Sequence, residues 1–320
     1  MIVKKVISES LEFPGKDFLT LADFTKNEIE SLVMFGLELK QKLKKKIPFQ
    51  PLNGKILGMI FEKSSTRTRV SFEAAMLQLG GHALFLSKND IQLGRGETVS
   101  DTAKVLSRYL DGILMRTDDQ HKLIEMARNS TVPIINGLSD LYHPTQAIAD
   151  FMTIYEKKGK LKGIKLAYVG DGNNVAHSLL IGGAKLGMDI VIATPKGYEP
   201  MEQVVRLASV EAEKQGCMII ITNDVQDAVK DADVIYTDVW TSMGQEAESE
   251  LRLKDFQGFQ VNNKLVSKAK SDYIFMHCLP AHRGEEVNTE VIDGANSVVF
   301  DEAENRLHAH KAILATFLYN

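Results

Sequence analysis

The feature that most narrows the fold is an alternation of short apolar runs with stretches of helical period. Ile56-Leu57-Gly58-Met59-Ile60-Phe61 is apolar throughout, and residues 83–86, 112–115 and 133–135 read as similar buried strands. Between them, residues 69–79, 99–110 and 120–127 carry apolar side chains at helical spacing. A strand with no polar face has to be covered on both sides. Alternation with helices then implies a parallel sheet with right-handed crossovers.

A second series of the same kind follows a long predicted helix at 144–158 and a glycine-flanked segment, Gly159-Lys160-Leu161-Lys162-Gly163. Its strands are predicted at 165–169, 190–193, 218–221, 234–236 and 273–276. A last helix, 303–319, has apolar residues at helical spacing and has to pack on one of the two sheets. The chain has 320 residues, more than one core usually serves. The expected fold class is therefore α/β: two similar-sized α/β domains, each with a central, mainly parallel sheet flanked by helices, linked by long helices. The expected domains are 1–150, completed by a C-terminal helix at 303–320, and 151–302. Ligands of such sheets sit at the carboxyl ends of the strands, and the polar segments of interest each follow a predicted strand.

Bulk properties exclude several classes. With 44% hydrophobic and 25% charged residues, the composition is that of a folded globular protein. A net charge of −4 does not favour nucleic acid as a partner. The run Lys40, Lys42, Lys44, Lys45, Lys46 closes a predicted helix and suits its dipole as a solvated end. Only Cys217 and Cys278 are present, too few for a disulfide framework or a four-cysteine zinc site. No stretch approaches the ~18 apolar residues of a membrane span. The start, Met-Ile-Val-Lys-Lys-Val with Glu9 and Glu12 behind it, does not look like a targeting peptide. A cytoplasmic protein with no membrane partner is expected.

After the first strand comes Phe61-Glu62-Lys63-Ser64-Ser65-Thr66-Arg67-Thr68-Arg69, which opens a helix. Backbone N–H groups at a helix start attract anions. Hydroxyl residues add donors, and Arg67 and Arg69 add forked cations suited to phosphate oxygens. With no Walker A sequence in the chain, a phosphate monoester fits better than a polyphosphate. An N-cap cluster with surface arginines is the bland alternative. Arg116 ends the strand at 112–115, and His143 and Gln146 open the linking helix. These are the residue types that stabilise an oxyanion on a reacting carbonyl, although an ion-paired Arg116 and a capping His143 are equally open readings. Pro144 suits the first helical position.

In the second series, Gly170-Asp171-Gly172-Asn173-Asn174 imitates a dinucleotide fingerprint. The third glycine is absent, because Val175 stands there, and no acid ends the next strand, so nicotinamide cofactor binding is set aside. Asn174 suits an amino acid's α-group. Asp238, after the strand at 234–236, offers an amino group a carboxylate or caps a helix. His277-Cys278-Leu279-Pro280-Ala281-His282 follows the last strand. A zinc site from His277, Cys278 and His282 is one reading, though no second cluster supports it.

Taken together and in order, Ser65-Thr66-Arg67-Thr68-Arg69, His143-Pro144-Thr145-Gln146, Ser242-Met243-Gly244 and His277-Cys278-Leu279-Pro280 resemble the signatures of the aspartate/ornithine carbamoyltransferase family, in its ornithine branch. Gly94-Arg95-Gly96-Glu97-Thr98 and Glu302-Ala303-Glu304-Asn305-Arg306 extend the likeness over essentially the whole chain. The resemblance implies transfer of a carbamoyl group from carbamoyl phosphate to the δ-amine of L-ornithine. It implies carbamoyl phosphate held by Ser65, Thr66, Arg67, Thr68, Arg116, His143, Gln146, Cys278, Leu279 and Arg306, with Gln92 reaching across a subunit boundary. Ornithine would be held by Asn174, Asp238, Ser242 and Met243, with the Ser-Met-Gly loop closing over it. Arg116, His143, Asp238, Cys278 and Arg306 would carry the chemistry. No metal and no organic cofactor is implied, and the implied assembly is a homotrimer or a multiple of trimers. An enzyme for putrescine or another amine, and a catalytically silent relative, are the alternatives.

Overall fold

The structure is a computed structural model that describes residues 17–242 and 246–319. Met243 and Gly244 of the Ser-Met-Gly loop, and Glu9 and Glu12, lie outside the described residues. The chain divides into two compact units, Met1–Ala149 with Asn305–Asn320, and Asp150–Glu304. Each is built on its own parallel sheet.

In the first unit, helix α1 (Lys26–Lys44) precedes β1 (Ile56–Phe61), α2 (Thr66–Gln78), β2 (His82–Ser87), α3 (Val99–Leu106), β3 (Gly112–Arg116), α4 (Gln120–Asn129) and β4 (Ile134–Leu138). The four strands are parallel in the order β2-β1-β3-β4. β1 and β3 are buried almost end to end, as their uninterrupted apolar sequences require, whereas the edge strand β2 alternates. Ile60, Ile113, Met115, Leu123, Met126 and Ile134 form a core under α3 and α4. Helix α3 stops short of the predicted 110. Ser107 caps it, and Asp111 turns back to accept from the Ile56 N–H at 2.8 Å and pair with Lys55 at 3.1 Å.

The unit boundary falls within α5 (Pro144–Lys158). The second unit continues with β5 (Lys165–Val169), α6 (Asn174–Lys185), β6 (Asp189–Ala193), α7 (Glu202–Gln215), β7 (Ile219–Thr222), α8 (Val225–Val229), β8 (Val234–Tyr236), α9 (Ser249–Asp255), α10 (Asn263–Val266), β9 (Ile274–Met276) and α11 (Thr289–Ile292). Its five strands are parallel in the order β7-β6-β5-β8-β9. Ala167, Val169, Ile235, Phe275, Val287 and Val291 are among its buried core. The last helix, α12 (Val299–Phe317), starts four residues before the predicted 303, with Asp301 and Glu302 in its first turn, where acids suit the dipole. Among the described residues no helix is long and apolar enough to cross a membrane.

The basic run at the end of α1 is not uniformly solvated. Lys40 is buried and donates to Asn305 Oδ1 at 2.8 Å, tying α1 to the start of the C-terminal segment, while Lys42 and Lys44 lie in the last turn as expected.

Both strand orders reverse at one place: between β1 and β3 in the first sheet, and between β5 and β8 in the second. Successive crossovers leave in opposite directions there, so a crevice opens at the carboxyl ends of those strands. Residues 65–69, 143–146, 170–174 and 277–279, with Arg116 and Asp238, leave from these strand ends and from the ends of their neighbours β4 and β9, whereas Gln92 follows β2 and Arg306 lies within α12.

Candidate active site

In the first unit, β1 runs out at Phe61 and the chain enters α2 through Ser65. Ser65 is extended (φ −161°, ψ 111°), and its hydroxyl accepts the Thr68 N–H at 3.2 Å, the geometry of a helix N-cap. The first-turn N–H groups and the positive end of the helix dipole face the strand ends. Thr68 is fully buried. Its hydroxyl accepts from Ser65 Oγ at 3.0 Å and from Arg306 Nη2 at 2.7 Å, so the guanidinium of α12 is fixed onto the cap of α2. Arg116 is the last residue of β3, paired with Phe61 of β1, and its carbonyl accepts the Glu62 N–H at 2.9 Å. Arg116, His143, Gln146 and Arg306 are all buried. Burial, followed by the charges of Arg306 and Arg116 and the nearby His310, holds the His143 imidazole well below its ordinary value. It is therefore a neutral hydrogen-bonding group rather than a cation at neutral pH. Gln146 follows one turn into α5, on the same helix face.

Two predicted cationic positions behave differently. Arg67 is half-buried at the helix start. Arg69 points outward, donating from Nε to Glu73 at 3.0 Å and stacking on the Phe85 ring at 3.7 Å. Residues two apart on a helix differ by roughly 200° in direction, so both cannot face one phosphate. Thr66 is exposed at the first position of α2, and Gln92 is exposed on a separate 3-10 turn, Gln92–Arg95.

In the second unit, the residues after β5, β8 and β9 converge, because those strands are neighbours with Tyr168 opposite Tyr236 and Tyr236 opposite Met276. Asn173 caps α6, its Oδ1 accepting from Val175 and Ala176 at 3.0 and 3.2 Å. Its Nδ2 donates to Asp238 Oδ2 at 2.8 Å. The other oxygen of Asp238 accepts the Val239 N–H at 2.9 Å and the Cys278 thiol at 3.1 Å. Burial, then the charge of Asp238, pushes the Cys278 thiol well above its ordinary value. The group is a neutral donor, not a thiolate. Leu279 follows with φ at 57°, its N–H donating to His277 Nδ1 at 2.9 Å. Asn174 is the first residue of α6, and Ser242 is half-buried at the edge of the described segment.

The alternatives open at the sequence level meet specific obstacles. Gly172 is a glycine because another part of the backbone passes it: a Cβ there would lie 2.3 Å from the Pro200 nitrogen. The space a dinucleotide fingerprint reserves for a pyrophosphate is thus filled by residues 198–200. The Asp238, His277 and Cys278 ligand atoms lie close together. Yet both His277 ring nitrogens are engaged, Nδ1 by Leu279 and Nε2 by Glu286 at 3.1 Å, which removes the lone pair that a zinc ion would need.

Two family profiles cover the chain. One, described as "Aspartate/ornithine carbamoyltransferase, carbamoyl-P binding domain", matches residues 16–156, and the other, "Aspartate/ornithine carbamoyltransferase, Asp/Orn binding domain", matches residues 162–317. The chain belongs to the aspartate/ornithine carbamoyltransferase family. Curated relatives named ornithine carbamoyltransferase include one from Anoxybacillus flavithermus, 57% identical over 98% of this chain and 99% of its own length. One from Bacillus subtilis is 60% identical over 95% of this chain and 94% of its own. The solved ornithine carbamoyltransferase of Pyrococcus furiosus superposes with a TM-score of 0.92 at 60% identity, covering 94% of this chain and 96% of that one.

Within this family framework, sequence reading passed over Asn173 in favour of Asn174. Its signal was present: an asparagine immediately before a helix is a cap candidate. Arg252, which bridges Asp171 at 2.9 Å and the Trp240 carbonyl at 2.9 Å, was also missed, since it lies 81 residues from Asp171.

Proposed function

We propose that the protein is an ornithine carbamoyltransferase, converting carbamoyl phosphate and L-ornithine to L-citrulline and phosphate in arginine metabolism. The observation that carries the choice of second substrate is the environment of Asp238. Its carboxylate is buried and accepts only from neutral donors among the described residues: an amide, a backbone N–H and a thiol. A buried carboxylate without a cation calls for one, and the ammonium of a diamino acid supplies it. A second substrate carboxylate, as in aspartate, would be repelled there. The identities of about 60% to proteins named ornithine carbamoyltransferase support the same reading.

In this proposal the donor is held chiefly by residues of the first unit. Ser65, Thr66, Arg67 and Thr68 take the phosphate, while Arg116, His143, Gln146 and Arg306, with the Cys278-Leu279 backbone, take the carbamoyl group. The second unit holds ornithine through Asn174, Asp238, Ser242 and Met243. The δ-amine, near ~10 in its ordinary titration, sheds one proton and its lone pair attacks the carbamoyl carbon. The carbonyl oxygen becomes an oxyanion next to guanidinium and imidazole donors, each worth ~3–4 kcal/mol in comparable sites. The C–N bond is then complete, the C–O bond to phosphorus's oxygen breaks, phosphate leaves with the electron pair, and the nitrogen loses its second proton. A neutral His143 suits the carbonyl as a donor of one N–H.

We further propose a cytoplasmic trimer. The exposed apolar residues Val70, Leu77 and Leu84 on α2 and β2 give the first unit a surface suited to self-association, and an exposed Gln92 is free to serve a neighbouring copy.

A colorimetric citrulline assay tests the reading, run alongside putrescine, aspartate and acetylornithine as acceptors. Turnover with ornithine alone is expected. Preference for any other acceptor overturns the assignment of Asp238.

A further inference from the structure

We infer that Glu286 is a positioning residue for the reaction: it fixes His277 in one tautomer, and His277 in turn holds the turn that aims the Cys278 thiol at Asp238. The inference rests on the ornithine carbamoyltransferase reading for its kinetic consequence, though not for its geometry.

Glu286 and His277 are both fully buried. Glu286 Oε1 lies 3.1 Å from His277 Nε2 and accepts the His282 N–H at 2.6 Å. On the far side of the ring, Nδ1 accepts the Leu279 N–H at 2.9 Å. A ring nitrogen that accepts a hydrogen bond carries a lone pair, so the proton is on Nε2, facing the carboxylate. Swapping the proton to Nδ1 would set N–H against N–H at Leu279 and leave Nε2 facing a carboxylate with nothing to donate. Both ends of the imidazole therefore specify the same tautomer, Leu279 through Nδ1 and Glu286 through Nε2.

The consequence falls on the residue between. Leu279 has φ at 57°, a conformation that a leucine adopts only when its surroundings impose it. Its N–H bond to His277 closes a tight ring around Cys278, whose thiol then reaches Asp238 at 3.1 Å. Glu286 is itself anchored: its carbonyl accepts the Val261 N–H at 2.8 Å, and Gln260 bridges the carbonyls of Gly284 and Glu285 at 2.9 Å each. Loss of the carboxylate would release the imidazole, then the Leu279 turn, and so misplace the thiol and the adjacent backbone.

The test compares Glu286→Gln and Glu286→Met. A glutamine Oε1 still accepts from Nε2–H, and a methionine cannot. E286M is expected to lower kcat for citrulline formation by about tenfold or more, the scale on which removing the group that orients a functional histidine acts. E286Q is expected to recover most of the turnover. Both variants should keep the wild-type circular dichroism and unfold cooperatively, so that a fall in kcat reports the Cys278 turn and not loss of the fold; non-cooperative unfolding of E286M would assign Glu286 to the fold alone and overturn the inference. Nitrogen-15 spectra of the imidazoles should give a neutral Nε2–H form for His277 in wild type and E286Q, and a mixture in E286M. Turnover of E286M equal to wild type, E286Q as impaired as E286M, or a wild-type His277 carrying its proton on Nδ1 would each overturn the inference. A wild-type protein that makes no citrulline would instead sink the functional reading, while the nitrogen spectra still decide the tautomer.

Discussion

Asp238 and Cys278, forty residues apart, are joined by a hydrogen bond in which the thiol donates to Oδ1 at 3.1 Å. The contact makes the carboxylate the organising group of the second unit, since Asn173 binds its other oxygen at 2.8 Å. It also leaves the sulfur protonated, the opposite of what a nucleophilic cysteine requires.

Asp238→Asn keeps the shape and removes the charge offered to an ammonium. A charge-assisted hydrogen bond is worth about 2 kcal/mol, so turnover with ornithine should fall ~30-fold or more, with carbamoyl phosphate affinity unchanged by calorimetry. Near-wild-type turnover would mean that the amine lies elsewhere.

The neutral thiol has a chemical signature. Burial and Asp238 both raise it well above its ordinary value, so at pH 8 the thiolate fraction is negligible. Iodoacetamide should alkylate Cys278 much more slowly in the folded protein than in urea, as followed by mass spectrometry of the peptide. Rapid stoichiometric labelling of the native protein at pH 7 would contradict the assigned state.

How much of this was legible beforehand depended on range. The strands β1 and β3 could be read because their apolar runs have no polar face to offer water; a helix after β1 could be read too, but α2 begins at Thr66, three residues before the predicted 69, because the Ser65 hydroxyl caps it. Direction around a helix was harder: Arg67 and Arg69 look alike in a string, and only the phase of α2, starting at Thr66, sends Arg69 to Glu73. The partnerships of Asp238 with Asn173 and of His277 with Glu286 were not legible. Each joins segments whose proximity follows from strand order and from a turn folding back on itself, neither of which a local pattern specifies.

Thr68 links the phosphate cap to Arg306, which suggests a test that leaves every charge in place. Thr68→Val keeps the volume and deletes the oxygen that accepts Nη2 at 2.7 Å. Removing an acceptor from a buried guanidinium costs about 1.5–3 kcal/mol. Carbamoyl phosphate should bind roughly 10-fold more weakly or worse by calorimetry, and the melting temperature should drop. Arg67→Ala is expected to abolish measurable binding with the fold intact. Unchanged affinity in both variants would remove the phosphate from this helix start.

Beneath the Cys278 turn, Asp150 and Glu302 are hydrogen-bonded to each other, both fully buried. The Tyr236 hydroxyl lies 3.1 Å from Glu302 Oε1 and 3.4 Å from Asp150 Oδ2, and the His277 N–H donates to Glu302 Oε2 at 2.9 Å. Two carboxyls in contact away from water cannot both ionise. Burial first, and Asp150 second, hold Glu302 well above its ordinary value of 4.5, so the folded chain keeps a proton that the unfolded chain releases. The sign follows: the stability from this group is complete below about 4.5 and declines as pH rises towards the folded value, by at most ~1.4 kcal/mol per pH unit. The lowered His143 and His310 act in the opposite direction, losing stability as pH falls below the ordinary histidine value. A difference measurement separates the two effects. Glu302→Gln cannot ionise, so urea midpoints for wild type and E302Q should move apart in favour of E302Q between pH 5 and pH 8. A gap between the two midpoints that stays constant across that range would mean that no proton is shared between the carboxyls.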